Sequence, residues 1–252
     1  MHGGIDGFSR KVLWLKAGPS NNDPRYIANF YINFIKKNRR IPAIIRSDAG
    51  TENVIMRDLQ IALRLDHGDR MSGRKSFLVG PTTANQRIER LWGTLNMHFT
   101  QFWRNVFAEM RDTGILNNHN HIDIECIRYC FLPIIQSQLQ DCITSWNSHT
   151  VRAQRRNQLL TLPGKPDILY YQPELFGKVD QSFPLPCTDQ AISELENMFT
   201  ERFPFRGCFA NFIEVVNLLT GLPPDFTPVP HTVWVALDFF SVLITVCDFF
   251  DT

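Results

Sequence analysis

The stretch IDGFSRKVLWLK, residues 5–16, decides how this chain is read. Gly3 to Phe8 is extended and carries Asp6 at its end, Ser9 and Arg10 make a turn, and VLWLKA has the length and composition of a buried strand. Next along the chain, GPSNNDP (18–24) is a loop in which Asp23 caps a helix and Pro24 takes its first position. That helix places Ile27, Phe30, Tyr31, Phe34 and Ile35 on one face and ends in the basic cluster Lys36-Lys37-Asn38-Arg39-Arg40. Pro42 begins a short strand, AIIRSD (43–48), which breaks at Ala49-Gly50. A helix from about Asn53 to Leu65, a strand at SFLVG (76–80) and a long helix opened by Thr82-Thr83 follow. The long helix has a stripe of Ile88, Leu91, Trp92, Leu95, Phe99, Phe102, Trp103 and Val106. Another helix runs from about Ile122 to Trp146, and the alternation of strands and helices is an α/β pattern.

A chain of 252 residues, 44% hydrophobic and 12% aromatic, buries a core of one large or two small domains, which excludes a disordered chain, a collagen repeat or a disulfide-stapled miniprotein. Net charge is only +1, but its distribution is uneven. Residues 1–100 carry 16 Lys and Arg against 8 Asp and Glu, whereas residues 179–252 carry 2 against 10. A basic front and an acidic tail suggest that the front meets a polyanion. The six cysteines, irregularly spaced and with no leader-like segment before them, read as free thiols of a reducing compartment. VWVALDFFSVLITV (233–246) is shorter than the ~20 residues that span a bilayer and reads as a core or interfacial element, not a membrane span. It is also rich in β-formers and nearly uncharged, an aggregation risk if left exposed.

Three acidic residues share a local context: Asp6 and Asp48 at strand ends, Glu89 in the first turns of the long helix. Strand-end carboxylates on an open α/β sheet point into the crevice where such sheets bind ligands, and a helix across that edge brings Glu89 to the same point. Hard oxygen donors without His or Cys suit Mg²⁺ or Mn²⁺ rather than zinc. Two such ions ~3.5–4 Å apart activate a water or 3′-hydroxyl and stabilise the leaving oxygen of a phosphodiester. By spacing alone, Asp6 and Asp48 serve equally well as turn residues, since both precede Gly-containing turns, and Glu89 as a solvated helix flank.

Taken as a set, IDGFSRKVLWLK, RSDAGTEN (46–53) and NQRIERLW (85–92) resemble the signature blocks of the integrase core, the catalytic domain of retroviral integrases and related transposases. They come in the family's order, and the separations of 42 residues (Asp6 to Asp48) and 41 (Asp48 to Glu89) are similar to the family's. GPSNNDP, SFLVG, SWNSHTVR (145–152) and GKPDILYYQPELFG (164–177) are similar to the integrase-core proteins of animal genomes derived from mobile elements. The resemblance covers residues 1–178 and implies a ribonuclease-H-like α/β fold, a mixed five-stranded sheet with helices on both faces. It implies DNA strand transfer or end processing with two Mg²⁺ or Mn²⁺ ions held by Asp6, Asp48 and Glu89. Glu52 is an alternative ligand. Arg46, Arg87 and Arg90 are candidates to hold phosphates, and Lys36–Arg40 (Lys36 and Lys37 foremost) and Arg152–Arg156 to track the DNA backbone. DNA as partner, a homo-oligomer and a nuclear location follow from the same resemblance.

Two features depart from the family. Only five residues precede Asp6, so the first strand reads as shortened. Residues 179–252 form an acidic, Phe- and Pro-rich region of unrecognised fold, which is expected to lie over the basic face and compete with DNA. His119, His121, Cys126 and Cys130 suggest zinc, but both cysteines fall on an apolar helix face, where core burial is the expectation. Three readings stay open: a metal-dependent polynucleotidyl transferase, a non-catalytic nucleic-acid-binding relic of a mobile element, and a hydrolytic nuclease of the same fold.

Overall fold

A computed structural model describes residues 1–80, 85–152, 162–221 and 230–251. Its contacts divide the chain into one unit of residues 1–16, 20–91 and 141–202 and another of residues 17–19, 92–140 and 203–252.

The first unit opens with β1 (His2–Ile5) and β2 (Val12–Lys16), an antiparallel hairpin that pairs Gly4 with Trp14 and Ile5 with Val12 across an irregularity in register. Gly4 is required here, because a Cβ on it would meet the Trp14 ring at 2.6 Å. α1 (Pro24–Asn38) starts as expected: the Asp23 carboxylate accepts from the Arg25 amide at 2.9 Å, and Pro24 occupies the first turn. Its apolar face is fully buried at Ile27, Tyr31 and Ile35, and the Tyr31 hydroxyl donates to Gln60, whose own amide donates to the Pro42 carbonyl. β4 (Ile45–Ser47) and β5 (Phe77–Val79) are parallel, joined by α2 (Val54–Leu63).

Mixed α/β architecture therefore stands, but among the described residues the strands do not join into a five-stranded sheet. Among the described residues they form three separate pairs, β1–β2, β4–β5, and β3 (Arg40–Ile41) with β6 (Phe183–Pro184). The strands are only two to five residues long, so each ladder is short. At Val12, a side chain stands where a neighbouring strand would. The buried Asn147 amide accepts from the Val12 N–H at 2.8 Å and donates to the Val12 carbonyl at 3.0 Å. β6 comes from residues that the sequence places in the acidic region, and a Pro in a two-residue strand leaves little periodic signal to read. α6 (Pro166–Tyr171) and α7 (Asp189–Phe199) complete this unit. α7 is capped by Thr188, whose hydroxyl accepts from the Ala191 amide.

α3 (Gln86–Leu95), a π turn at Asn96–Thr100 and α4 (Gln101–Asp112) follow one another as the expected long helix; Thr82 and Thr83 lie outside the described residues. Leu95, Phe99 and Trp103 are buried, whereas Phe102 is 48% exposed. Side chains four apart drift by about 40° per step on a helix of about 3.6 residues per turn, and the wider π turn takes up that drift. α5 (His121–Ser148) contributes Phe131 to an aromatic cluster with Trp103, Phe107 and Phe240 in the second unit. Within that unit, the buried Glu125 accepts from the Phe209 amide at 2.8 Å, at the start of α8 (Ala210–Thr220). The window 233–246 falls in α9 (Val233–Asp251), with Ala236, Phe240, Leu243 and Cys247 buried at helical spacing, so its strand-like composition is overridden by packing. No helix among the described residues is long and apolar enough to cross a membrane. Cys126 and Cys130 are buried on α5, where loss of solvation pushes the Cys130 thiol up to about 12, and among the described residues no His/Cys/Asp/Glu group of three is placed to hold zinc.

Candidate functional site

The three signature blocks fall in the first unit, except that Trp92, the last residue of the third, belongs to the second. Asp6 directly follows β1 and organises the hairpin turn. Its Oδ2 accepts from the Phe8 amide at 3.0 Å, the Ser9 amide at 2.6 Å and the Ser9 hydroxyl at 2.7 Å. Ser9 is fully buried, so its amide and hydroxyl depend on that one oxygen. Oδ1 is the oxygen the turn does not use.

Asp48 directly follows β4 and is exposed. The buried Asn53 amide group reaches two carboxylates, Glu52 Oε1 at 3.0 Å and Asp48 Oδ1 at 3.5 Å. The Glu52 carboxylate folds back over Gly50, where a Cβ would meet it at 2.2 Å. Behind Asn53 stands His2, which bonds it through its side chain. The Trp14 indole N–H donates to His2 Nδ1 at 3.1 Å, and the two rings stack with 11° between planes. Burial, reinforced by the Met1 ammonium and opposed by Asn53 and the Asp48 charge, lowers the His2 pKa to about 4. The imidazole is therefore neutral near pH 7, an acceptor at Nδ1 and a donor at Nε2. Trp14, His2 and Asn53 thus form a neutral relay that ends on the Asp48 and Glu52 carboxylates. The blocks quote Trp14 and Asn53, but nothing local marks either as part of this relay.

Glu89 is exposed on α3, flanked by the exposed Arg87 and Arg90. Among the described residues no three His, Cys, Asp or Glu side chains gather closely enough to share an ion. The arrangement brings Asp48 and Glu52 together and leaves Asp6 committed to its turn through one oxygen. The donor chemistry, hard carboxylate oxygens, is that of Mg²⁺ or Mn²⁺.

The predicted phosphate contacts divide in two. Arg46, Arg87 and Arg90 are exposed. The basic cluster that closes α1 is largely paired with acids of residues 180–196. Lys36 bonds Glu196, Arg39 bonds Asp189, and Arg40 pairs with Asp180 at 3.1 Å and bonds Ser182; Lys37 is exposed. Residues 153–156 of the second basic cluster lie outside the described residues.

A family model described as "Integrase core domain" matches residues 1–163 of the 252. No curated protein and no solved structure matches the chain.

Proposed function

The chain belongs to the integrase core domain family, and from that premise we propose that it acts on DNA as a polynucleotidyl transferase. In this reading Asp6, Asp48 and Glu89 hold two divalent ions, with Glu52 beside Asp48. The bound ions supply an activated water or 3′-hydroxyl and charge stabilisation for the departing oxygen. The chain's own contribution is to hold Asp48 at the carboxyl end of a parallel strand, where α/β sheets present ligands to solvent. The observation that carries the reading is the delivery of Asp48 and Glu52 to one Asn53 amide, within the block RSDAGTEN that follows β4. Residues 1–178 would be the core, completed as a ribonuclease-H-like sheet, with 179–252 as an appended region. Nuclear residence and a homo-oligomer that brings two DNA ends together belong to the same proposal.

A second reading is favoured by the Asp6 geometry. An aspartate whose Oδ2 already accepts three hydrogen bonds is well explained as a turn residue. That reading makes the chain a non-catalytic nucleic-acid-binding protein. Mn²⁺-dependent nicking or joining of a labelled duplex separates the two. The transferase reading expects activity in the wild type that falls to background in Asp48→Asn and Glu89→Gln. A folded wild-type chain without activity refutes it and leaves the binding protein.

A further inference from the structure

Arg10 adopts a left-handed backbone, φ 65°, which disfavours any residue with a Cβ. The fold holds it there from both sides. Its N–H donates to the Asp6 carbonyl at 3.1 Å, and the Trp146 indole N–H donates to the Arg10 carbonyl at 2.8 Å. The guanidinium that this backbone aims is half-buried, and its Nη1 is shielded from solvent with no hydrogen-bond partner among the described residues. A buried, unpaired donor is a disfavoured state that a native fold usually satisfies. Arg87 Nη1 lies against the same turn, 3.6 Å from where a Cβ on Gly7 would stand. Arg87 and Arg90 are three apart on α3 and share a face. Burial, with the positive charges of Arg87 and Arg90, holds the Arg10 pKa below the usual arginine value. Neither Arg10 nor Arg87 forms an ion pair with a described carboxylate. Convergent guanidiniums around a strained turn make a site for a tetrahedral oxyanion.

We propose that the β1–β2 turn and the first turns of α3 form a seat for one backbone phosphate of DNA, with the guanidiniums of Arg10, Arg87 and Arg90 as donors and Asp6 as the residue that positions the turn. The seat rests on the DNA-binding part of the reading above and not on its metal chemistry.

The test is binding of the full chain to a fluorescein-labelled duplex in EDTA, over ~50 to ~200 mM salt, where each phosphate contact contributes about 0.9 to the slope of log K against log salt. Arg10→Gln is expected to weaken binding roughly 10-fold with little loss of slope, because Arg87 and Arg90 still neutralise the same phosphate. The triple variant R10Q/R87Q/R90Q, which empties the seat, should lose about 0.9 of slope and no more, because the three side chains hold one phosphate. Arg10→Gly, which relieves the left-handed strain, should bind as weakly as R10Q yet unfold at or above the wild-type temperature; Arg57→Gln on α2 should bind as the wild type does. Unchanged affinity in R10Q, or a loss of about 2.7 in slope in the triple variant as for three separate phosphates, overturns the shared seat while leaving DNA binding intact. In a second arm, inorganic phosphate is expected to raise the wild-type Tm and not that of R10Q. If phosphate does so but the duplex fails to bind, DNA is removed as the ligand, and with it the reading on which the seat rests.

Discussion

Replacing Asp6 distinguishes its two candidate duties, because one operates without metal and the other does not. In Asp6→Ala the Ser9 amide and hydroxyl, on a residue with no exposed surface, lose the oxygen they reach at 2.6 and 2.7 Å, and the Phe8 amide loses it at 3.0 Å. A buried donor left unsatisfied costs about 1–3 kcal/mol, and partial rehydration of the turn reduces the total, so D6A should lose about 2–4 kcal/mol. That is a large part of the ~5–15 kcal/mol of a typical domain. Asp6→Asn keeps a carbonyl oxygen in the same place and loses only the charge assistance, so about 1 kcal/mol is expected. The assay is urea unfolding in EDTA, where no divalent ion stabilises the wild type. If Asp6 served only to hold an ion, its removal in EDTA would leave stability within about 0.5 kcal/mol, the range of an ordinary surface substitution. A D6A loss that small would refute the turn assignment and return Asp6 wholly to the metal site. A loss of the expected size, with D6N intermediate, would make Asp6 a structural residue whatever else it does.

Further outcomes follow from the same packing. The Lys36 ammonium, bonded to Glu196, holds that carboxyl below its usual value; burial opposes this and Arg202 adds to it. A depressed carboxylate contributes stability that is present above its unfolded pKa of about 4.3 and lost as pH falls through the folded value. Tm should therefore drop below about pH 4.5 in the wild type and less steeply in Glu196→Gln, with near-parallel curves counting against the pair. Asn147→Ala leaves both backbone groups of Val12 without their partner, and a stability loss of about 2–4 kcal/mol is expected by chemical denaturation. Asn147→Asp retains an acceptor for the Val12 N–H but no donor for its carbonyl, and should fall between; equal losses for the two variants would argue against the bidentate contact.

What could be read directly from the chain was whatever neighbours within a few residues decide. Asp23 and Pro24 mark the start of α1 because a cap and a missing amide act within one turn, and the apolar residues of α1 recur at its period. Asp48 at a strand end was legible for the same reason, as were the three blocks that carry the family. Tertiary structure decided what each of those groups does. Asp6 sits beside a buried serine, a circumstance set by how the hairpin packs rather than by the words around it. Lys36 and Arg39 look like a free basic cluster until acids about 150 residues away close on them, and β3 finds its partner in β6 across a similar distance. Such pairings are degenerate in sequence, because many acids and many short extended stretches would satisfy them equally well. Only the burial of the surrounding apolar surface, summed over the whole unit, selects which one forms.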